Sequence, residues 1–411
     1  MRKEILQLNE KETSIEAAGN KIASIRNKNI TKSSARFFSV DKIYSASFVG
    51  EIDEKSLLDN AINNKESALE YKYSLNSLAS VSKETFLEGK NIEDLLPEYQ
   101  NALTEISSKF PDFIFSGKAN IKRVSKKLKF LEEADLKNSY DACEWYFLYK
   151  HKSSPSIIDG FFGSGDIGTF DIKTEVSNYS KFLEAFSNEV TLEAGKYPVI
   201  FVDSSHLFSK ILESSKADNY NKEIGLFRNK LNEKILNEDF TLLDVSYDTS
   251  IGATALFDAD GRQRSNPKLP IIKNGTFNSL VTDSRNAQKY SLEPTGNTLR
   301  SFDSSSVLGF NTITVEAGQR TVEQILSNLP KCLIIEMAAG GDFTDLGDYS
   351  TPVQNGFLME NGKITGKLPQ ITLTSSVEKM FGSELVEIAS KPFSGISKCP
   401  AIISNMDVLI N

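Results

Sequence analysis

His206 is one of only two histidines in the 411-residue chain, and its surroundings resemble the position of a metal ligand. It follows an apolar run, PVIFV, and belongs to a stretch, DSSHLFSKILESSKADNY, that predicts the first turns of a helix. A zinc peptidase would need a second histidine one turn later and a glutamate to activate the bound water. Lys210 stands one turn after His206 instead. We therefore predict that His206 flanks a helix start rich in N-capping residues, without metal.

The other routes to hydrolysis lack a complete set of residues. His151, between two lysines at a strand end, predicts a surface histidine, so no base stands ready for a serine or cysteine nucleophile. Cys143, Cys332 and Cys399 form no Cys-x-x-Cys pair, which indicates buried thiols in a reducing compartment. The glycine-rich segment 160–168 lacks the Lys-Ser/Thr of a phosphate-binding loop and predicts a flexible loop.

Two clusters of carboxylates and glycines remain. FDADGRQ, residues 257–263, lacks the other positions of a calcium loop and predicts an Asp-Gly turn. GGDFTDLGDYS, residues 340–350, repeats a Gly-Asp-aromatic-hydroxyl unit just before a predicted hairpin. Such glycine density is typical of backbone that approaches a partner or peptide closely. A hydrolase that uses the carboxylates of residues 342–348 is a weaker alternative, because it has no identified nucleophile.

Composition narrows the class of protein. Hydrophobic residues make up 39% and charged residues 25%, which is typical of a globular chain of two or three domains. A net charge of −8 argues against a general nucleic-acid binder. The longest apolar runs are far shorter than a membrane span, and the N-terminal residues resemble no signal peptide, so we expect a cytoplasmic protein.

The pattern of elements predicts an α+β fold. Residues 1–192 alternate strand and helix signals, as an α/β-type domain with a further division into 1–75 and 76–192 would. Residues 193–411 predict a mainly antiparallel β domain. Asn-Gly pairs at 274–275 and 361–362 lie between alternating apolar runs, and this is the strongest short signal for a two-residue hairpin turn.

The C-terminal half resembles the TldD/PmbA family over roughly 200 residues. The residues that carry this resemblance are FDADG at 257–261, NG at 274–275, DSRNAQK at 283–289, TGN at 295–297, GDYS at 347–350 and the closing CPAIISNMDVLI at 399–410. The N-terminal match is weaker, because Asp141 stands where the family's Asn-Ser-x-Gly strand has glycine.

This resemblance implies a role without catalysis. TldD-type members carry a His-Glu-x-x-x-His helix and a zinc-binding cysteine, whereas PmbA-type (TldE) members keep the fold without these ligands. The segment at His206 is similar to the second kind, and Cys399 lies too close to the closing strand to match the ligand cysteine. We therefore expect no cofactor in this chain, and zinc in a TldD-type partner.

The implied function is that of a metal-free subunit in a heterodimeric peptidase that cleaves unfolded peptides, with neither membrane nor nucleic acid as a partner. The alternative is a metal-free homodimer that binds peptides or proteins as a modulator without protease activity. Whether the chain alone is an enzyme stays open. The residues that the resemblance suggests for contact with peptide in a shared chamber are Asn297, Gly347, Asp348, Tyr349 and Ser350.

Overall fold

A computed structural model of the chain describes residues 2–70, 78–87, 95–338 and 340–410. Strands dominate the described residues, helices pack against them, and the predicted α+β class is confirmed. No helix within the described ranges has the length and apolar character needed to cross a bilayer.

The first 167 residues build one large, mostly antiparallel sheet in the order β4-β3-β2-β1-β6-β7-β5, with β8 also paired to β7. Helices α1 and α2 lie between its strands in sequence, and α3 follows it. The bounds are β1 Lys3–Ala18, β2 Lys21–Phe38, β3 Lys42–Val49, α1 Glu54–Asn63, β4 Leu69–Glu70, β5 Val81–Thr85, α2 Leu95–Lys109, β6 Phe113–Phe130, β7 Ala134–His151, β8 Gly160–Ile167 and α3 Ile172–Ala185.

Local sequence explains the long hairpins of this sheet. Gly19 and Asn20 both adopt positive φ, 57° and 67°, as a two-residue turn between β1 and β2 requires. Along β6 buried and more exposed residues alternate, because successive side chains of a strand point to opposite faces. One face packs against α2 and α3, where the rings of Phe162 and Tyr179 stack at 4.2 Å.

The segment 160–168 forms strand β8, so the predicted flexible loop is wrong. Its glycines serve close packing: a Cβ at Gly163 would lie 2.1 Å from the carbonyl oxygen of Trp145 on the paired strand β7. A bulkier residue there would push the two strands apart. Glycine density in this segment therefore reflects backbone contact between strands, and not a mobile loop.

The C-terminal residues build a second unit around a closed sheet of five strands. Strand β18 pairs in parallel with β9 and antiparallel with β20, and β22 and β24 complete the ring. We call this ring the closed sheet; its interior is apolar. Its strands are β9 Gly195–Phe201, β18 Lys331–Ala338, β20 Asp348–Glu360, β22 Ile371–Ser376 and β24 Ile402–Ile410.

Shorter elements surround the closed sheet, including a four-stranded sheet in the order β14-β13-β10-β17. They are α4 Ser209–Ser215, α5 Ala217–Asn221, β10 Leu242–Val245, β11 Tyr247–Asp248, β12 Ala253–Thr254, β13 Lys268–Lys273, β14 Thr276–Phe277, α6 Ser284–Tyr290, β15 Thr298–Leu299, β16 Val307–Leu308, β17 Thr312–Val315, α7 Val322–Leu326, β19 Asp342–Phe343, β21 Lys363–Lys367 and β23 Leu385–Ile388.

The predicted domain limit at 192/193 lies between the two main sheets, because the large sheet ends at Ile167 and the closed sheet starts at Gly195. This limit stays a prediction. The subdivision at 75/76 lies outside the described residues, and strands from both of its segments share the large sheet. Both predicted Asn-Gly hairpins are confirmed, at the β13–β14 and β20–β21 turns.

Candidate functional site

A tight turn after β9 carries His206. The Asp203 carboxylate accepts hydrogen bonds from the backbone N–H and the hydroxyl of Ser205, each at 3.0 Å. This contact starts a 3₁₀ turn, Ser205–Phe208, which continues directly into α4. The predicted helix start is confirmed. An Asp side chain that bonds its own backbone two residues later is a common way to begin such a turn.

The His206 imidazole lies against Tyr349 of β20. Its Nε2 is 3.1 Å from the Tyr349 hydroxyl, and its ring packs edge-to-face on Phe201 with centroids 5.3 Å apart. Burial lowers the pKa of His206, although the nearby Asp203 charge opposes this shift. Burial also raises the pKa of Tyr349 to about 12. The pair is therefore a neutral imidazole bonded to a protonated phenol near pH 7, without an ionised nucleophile.

The donor set around His206 does not fit a zinc ion. One turn later, Lys210 directs its ammonium group to Glu213 at 3.2 Å and to Asp345 at 3.4 Å. Zinc in proteins takes three or four ligands from His, Cys, Asp and Glu. Across the described ranges, no three such residues cluster in a way that could hold a metal. The position one turn after His206, where a second zinc ligand would be needed, is therefore occupied by a cationic side chain that is paired with carboxylates.

Cys399 lies near the same turn but is sealed. It is 4% exposed, and burial raises the pKa of its thiol to about 11. A protonated thiol is a poor nucleophile and a poor metal ligand, because both roles need the thiolate. All three cysteines are buried, as the sequence predicts.

The hairpin of residues 341–350 brings four of the five predicted contact residues to the His206 turn. Tyr349 is buried against Phe343, with ring centroids 4.7 Å apart, and Gly347 is buried as well. Gly347 has φ +84°, and a Cβ there would come within 2.9 Å of Leu226. Asp348 and Ser350 are exposed. The hairpin thus has a packed inner face and a polar outer face, and contact with peptide stays a prediction for it.

Asn297 lies in the interior, in a polar network of its own. Its amide group donates to Asp244 Oδ2 at 2.6 Å and to the carbonyl of Gly309 at 2.8 Å, and Arg264 donates to its side-chain oxygen at 2.6 Å. Asn297 and Asp244 are both 0% exposed. The structure therefore does not bring Asn297 together with the hairpin residues. His151, predicted at the surface, is half-buried and packs edge-on against Phe113 at 4.9 Å.

Sequence reasoning missed a large cleft between α3 and the second unit. Its volume is about 1000 Å³, and we call it the α3 cleft. It reaches Val202, the residue directly after β9 and four residues before His206. Apolar side chains form much of its lining: Tyr179, Phe182, Val202, Leu243, Val245, Ile251, Val315, Val322, Leu326, Met359, Pro392, Phe393 and Pro400. A concave apolar lining with a few polar groups is typical of a binding site.

Sequence reasoning also missed a buried carboxylate, Glu336, near the end of β18. It accepts hydrogen bonds from Phe161 N, Tyr149 Oη and Asn355 Nδ2, each at 2.7 Å. Tyr179 donates in turn to the Tyr149 hydroxyl at 3.1 Å. Burial raises the pKa of Glu336 to about 7 despite these bonds. Its one sequence signal is a lone charge inside the apolar run CLIIEM.

Comparison with known proteins agrees with the architecture. The PmbA/TldA metallopeptidase C-terminal domain matches residues 194–409, which is just over half of the chain. The chain belongs to the TldD/PmbA family. This was the predicted family, and the match begins at the turn into the closed sheet.

Individual relatives are distant in sequence. A zinc metalloprotease TldD homolog from Saccharolobus solfataricus is 24% identical over 230 residues, 54% of this chain and 50% of the relative. An uncharacterized protein from Methanocaldococcus jannaschii is 22% identical over 38% of this chain and 36% of its own. The chain therefore spans half or less of these curated relatives.

Solved structures share the whole fold. TldE from Thermococcus kodakarensis superposes with a TM-score of 0.84 at 18% identity, covering 99% of this chain and 96% of that one. A putative modulator of a DNA gyrase from Thermotoga maritima superposes with a TM-score of 0.81 at 16% identity and the same coverage. At such identities the likeness concerns the fold alone.

Proposed function

We propose that this chain is the non-catalytic, metal-free subunit of a TldD/TldE-like peptidase complex that degrades or matures unfolded peptides in the cytoplasm. One observation carries the proposal. A helix starts after β9, at the place where the zinc-binding helix of a TldD-type member would lie. The side chains there are those of His206 and Lys210, and His206 is bonded to the buried phenol of Tyr349. These groups do not form a set of zinc ligands.

The chemistry of amide hydrolysis supports a divided role. Water attack on an amide needs an activated nucleophile, which zinc supplies by polarising the carbonyl and acidifying a bound water. In the proposed complex this capacity belongs to a TldD-type partner. The neutral His206–Tyr349 pair offers no comparable base, and the thiol of Cys399 is held protonated by burial.

The surfaces of this chain supply the complementary part. The α3 cleft has the size of a site that encloses several side chains, and its apolar lining suits the exposed hydrophobic residues of an unfolded peptide. The hairpin of residues 341–350 adds the exposed Asp348 and Ser350 beside the His206 turn. In the proposed complex these two surfaces form this subunit's share of the wall around the peptide.

Reconstitution tests the proposal directly. The chain is mixed with a TldD-type protein from the same genome, and cleavage of an unstructured peptide is followed with each protein alone and with both together. We expect cleavage only, or much faster, in the mixture. If the partner alone cleaves as fast as the mixture, or this chain cleaves after treatment with a chelator, the subunit role is wrong.

Metal content provides a second, independent measurement. We expect elemental analysis of the purified chain to find far less than one zinc per molecule, unchanged in a His206→Ala variant. Stoichiometric zinc that is lost in His206→Ala would overturn the assignment. A chain that forms a homodimer and leaves the partner's activity unchanged would point to the alternative, a peptide- or protein-binding modulator.

A further inference from the structure

One wall of the α3 cleft carries two carboxylates, Asp166 and Glu175, near the ammonium group of Lys398. Asp166, at the end of β8, pairs with Lys398 at 2.7 Å and accepts from the Ser164 hydroxyl at 2.7 Å. Glu175, in the first turn of α3, accepts a backbone N–H, that of Gly395, at 3.2 Å. Within the described ranges no Lys, Arg or His nitrogen lies within 4.0 Å of the Glu175 carboxylate. This wall therefore carries a local excess of negative charge.

The rest of the cleft does not remove this local excess. The whole lining contains five lysines and five carboxylates and is balanced overall. Glu175 is only half-buried, so its carboxylate is reachable from the cleft. Burial raises the pKa of Glu175, and the charges of Asp166 and Asp171 add to this shift, whereas the Gly395 N–H and the charge of Lys398 oppose it.

The backbone around Glu175 holds the carboxylate in place. Asp171 caps α3 by accepting from Thr174 N at 3.1 Å, which fixes the first turn of the helix. Gly395 packs so closely on β8 that a Cβ there would lie 2.8 Å from the Ser164 Cβ. The N–H of Gly395 therefore reaches Glu175 only because this residue is a glycine. The carboxylate is pre-positioned rather than free to swing.

An apolar surface continues along the same helix face. Glu175, Asn178, Tyr179 and Phe182 lie at i, i+3, i+4 and i+7 of α3, and all four line the cleft. Phe182 packs on Phe393 from the opposite wall, with ring centroids 6.0 Å apart. Seven residues of helix span about 10 Å, which is the reach of about three residues of an extended peptide.

We propose that the α3 cleft is a peptide-binding site in which Glu175 receives a cationic group, the guanidinium or ammonium of a basic residue, while a neighbouring apolar side chain lies against Phe182 and Phe393. This deepens the proposed function, on which it rests, by giving the subunit a preference among unfolded peptides. A carboxylate without its own cationic partner binds a guanidinium most strongly, because this group offers two parallel N–H donors.

The test measures binding to the isolated chain, so it does not depend on the partner. A fluorescent, N-acetylated, unstructured peptide that carries one arginine and one phenylalanine three residues apart is compared with its citrulline counterpart, a neutral isostere. We expect the arginine peptide to bind about five- to tenfold more tightly to the wild-type chain. Fluorescence anisotropy at fixed salt concentration gives both dissociation constants.

Two glutamates provide a matched pair of variants. Glu175→Gln keeps an acceptor for Gly395 N but loses the charge, and we expect the arginine preference to fall to about one without a change in affinity for the citrulline peptide. Glu323→Gln removes a charge of the same kind from the first turn of α7, elsewhere in the lining, and should leave the preference intact. Glu175→Lys should reverse the preference. Thermal unfolding of each variant confirms that it is folded.

The outcomes separate the two proposals. The cation site would be overturned if the arginine preference survived in Glu175→Gln, or if it disappeared equally in Glu323→Gln. It would also be overturned if the chain bound neither peptide. A citrulline peptide with a free N-terminus that regains affinity, and loses it in Glu175→Gln, would identify an ammonium as an accepted cation. Stimulation of a TldD-type partner on the citrulline peptide judges the proposed function alone, because that substrate bypasses Glu175.

Discussion

Two parallel strands of the closed sheet, β9 and β18, run side by side and lead to very different polar groups. Ile335 of β18 pairs with Phe201 of β9, so Glu336 and the turn that carries His206 follow neighbouring strand positions. The His206 imidazole is partly exposed and hydrogen-bonded to the Tyr349 hydroxyl, whereas the Glu336 carboxylate is buried and accepts from Tyr149, Phe161 and Asn355. Residue type would suggest chemistry at both positions.

The difference between Glu336 and His206 shows that burial and the number of hydrogen bonds distinguish a structural polar group from one that is available to a ligand. Glu336 joins β18 and β20 to β7 and β8 of the large sheet, and a carboxylate whose donors are all supplied by the protein has no capacity left for a ligand. A pKa near 7, which often marks a catalytic acid, here results from desolvation inside a joint. Glu175, half-buried and short of partners, is the group that can still bind something.

The largest effect should come from Glu336→Ala. This change leaves the Tyr149 hydroxyl, the Asn355 amide and the Phe161 N–H buried without their acceptor, and we expect a loss of about 3–5 kcal/mol in the free energy of unfolding. Urea denaturation measures this loss. Glu323→Ala, at an exposed position, should change stability by less than about 0.5 kcal/mol. A loss below about 1 kcal/mol for Glu336→Ala would show that the joint is not sealed.

The second effect is a pH dependence that belongs to Glu336. Its folded-state pKa, about 7, lies above the ordinary value of 4.5, so the folded chain holds this proton more tightly than the unfolded chain. The contribution of this protonation to the free energy of unfolding is fully present below pH 4.5 and is lost as the pH rises to 7. The loss is roughly 3 kcal/mol, at 1.36 kcal/mol per pKa unit. Glu336→Gln lacks this titration.

The difference in stability between the wild-type chain and Glu336→Gln isolates the effect of the Glu336 titration. We expect the stability of the wild-type chain relative to Glu336→Gln to decline between pH 4.5 and 7 and to stay constant above that range. The other titrating groups, such as Asp258 and Asp218, contribute to both proteins and cancel in the difference. A difference that rises with pH would contradict the assigned direction of the shift.

Asn297→Ala sharpens the distinction at another buried group. It removes the amide that donates to Asp244 and Gly309, so we expect a loss of about 2–3 kcal/mol. Asn328→Ala, at an exposed position, is the control and should be nearly neutral. If peptide cleavage by the reconstituted complex falls only where the variant unfolds, Asn297 acts through the fold. Lost cleavage by a fully folded Asn297→Ala chain would instead restore its predicted contact with peptide.

The smallest effect should come from Tyr349→Phe, which removes the hydrogen bond between this hydroxyl and His206. We expect a loss of about 1 kcal/mol. The proton resonances of His206 are easily assigned, since His151 is the only other histidine. Burial is the main cause of the lowered pKa of His206, so an NMR titration should still find it below the ordinary value. A return to the ordinary value would mean that the phenol, and not burial, sets it.

Local sequence signals predicted the local geometry well. The pairs Asn274-Gly275 and Asn361-Gly362 both adopt positive φ and form the expected hairpins, because few other residues tolerate that conformation. Asp283, a residue type favoured at helix N-caps, caps α6 by accepting from Asn286 N at 2.7 Å. Such features depend on residues a few positions apart, so a single sequence contains them.

Features that depend on distant residues were not predictable in the same way. Closure of the sheet requires β9 to meet β18 across more than a hundred residues, and no local pattern encodes that contact. The α3 cleft likewise joins Glu175 to Gly395. Glycines in 160–168 suggested mobility, because the carbonyl of Trp145 that makes glycine necessary lies on another strand. The family resemblance supplied the fold, but not these contacts.

The position of β24 in the ring has a consequence for biosynthesis. This strand, Ile402–Ile410, lies between β9 and β22 and also pairs with β23, so the ring stays open until residues 402–410 have left the ribosome. Until then β9 and β22 expose unpaired edges in the nascent chain, which are prone to pair with other chains. The large sheet, complete at Ile167, has no such dependence and can form during synthesis. The second unit is thus the part for which a chaperone that shields strand edges would matter most.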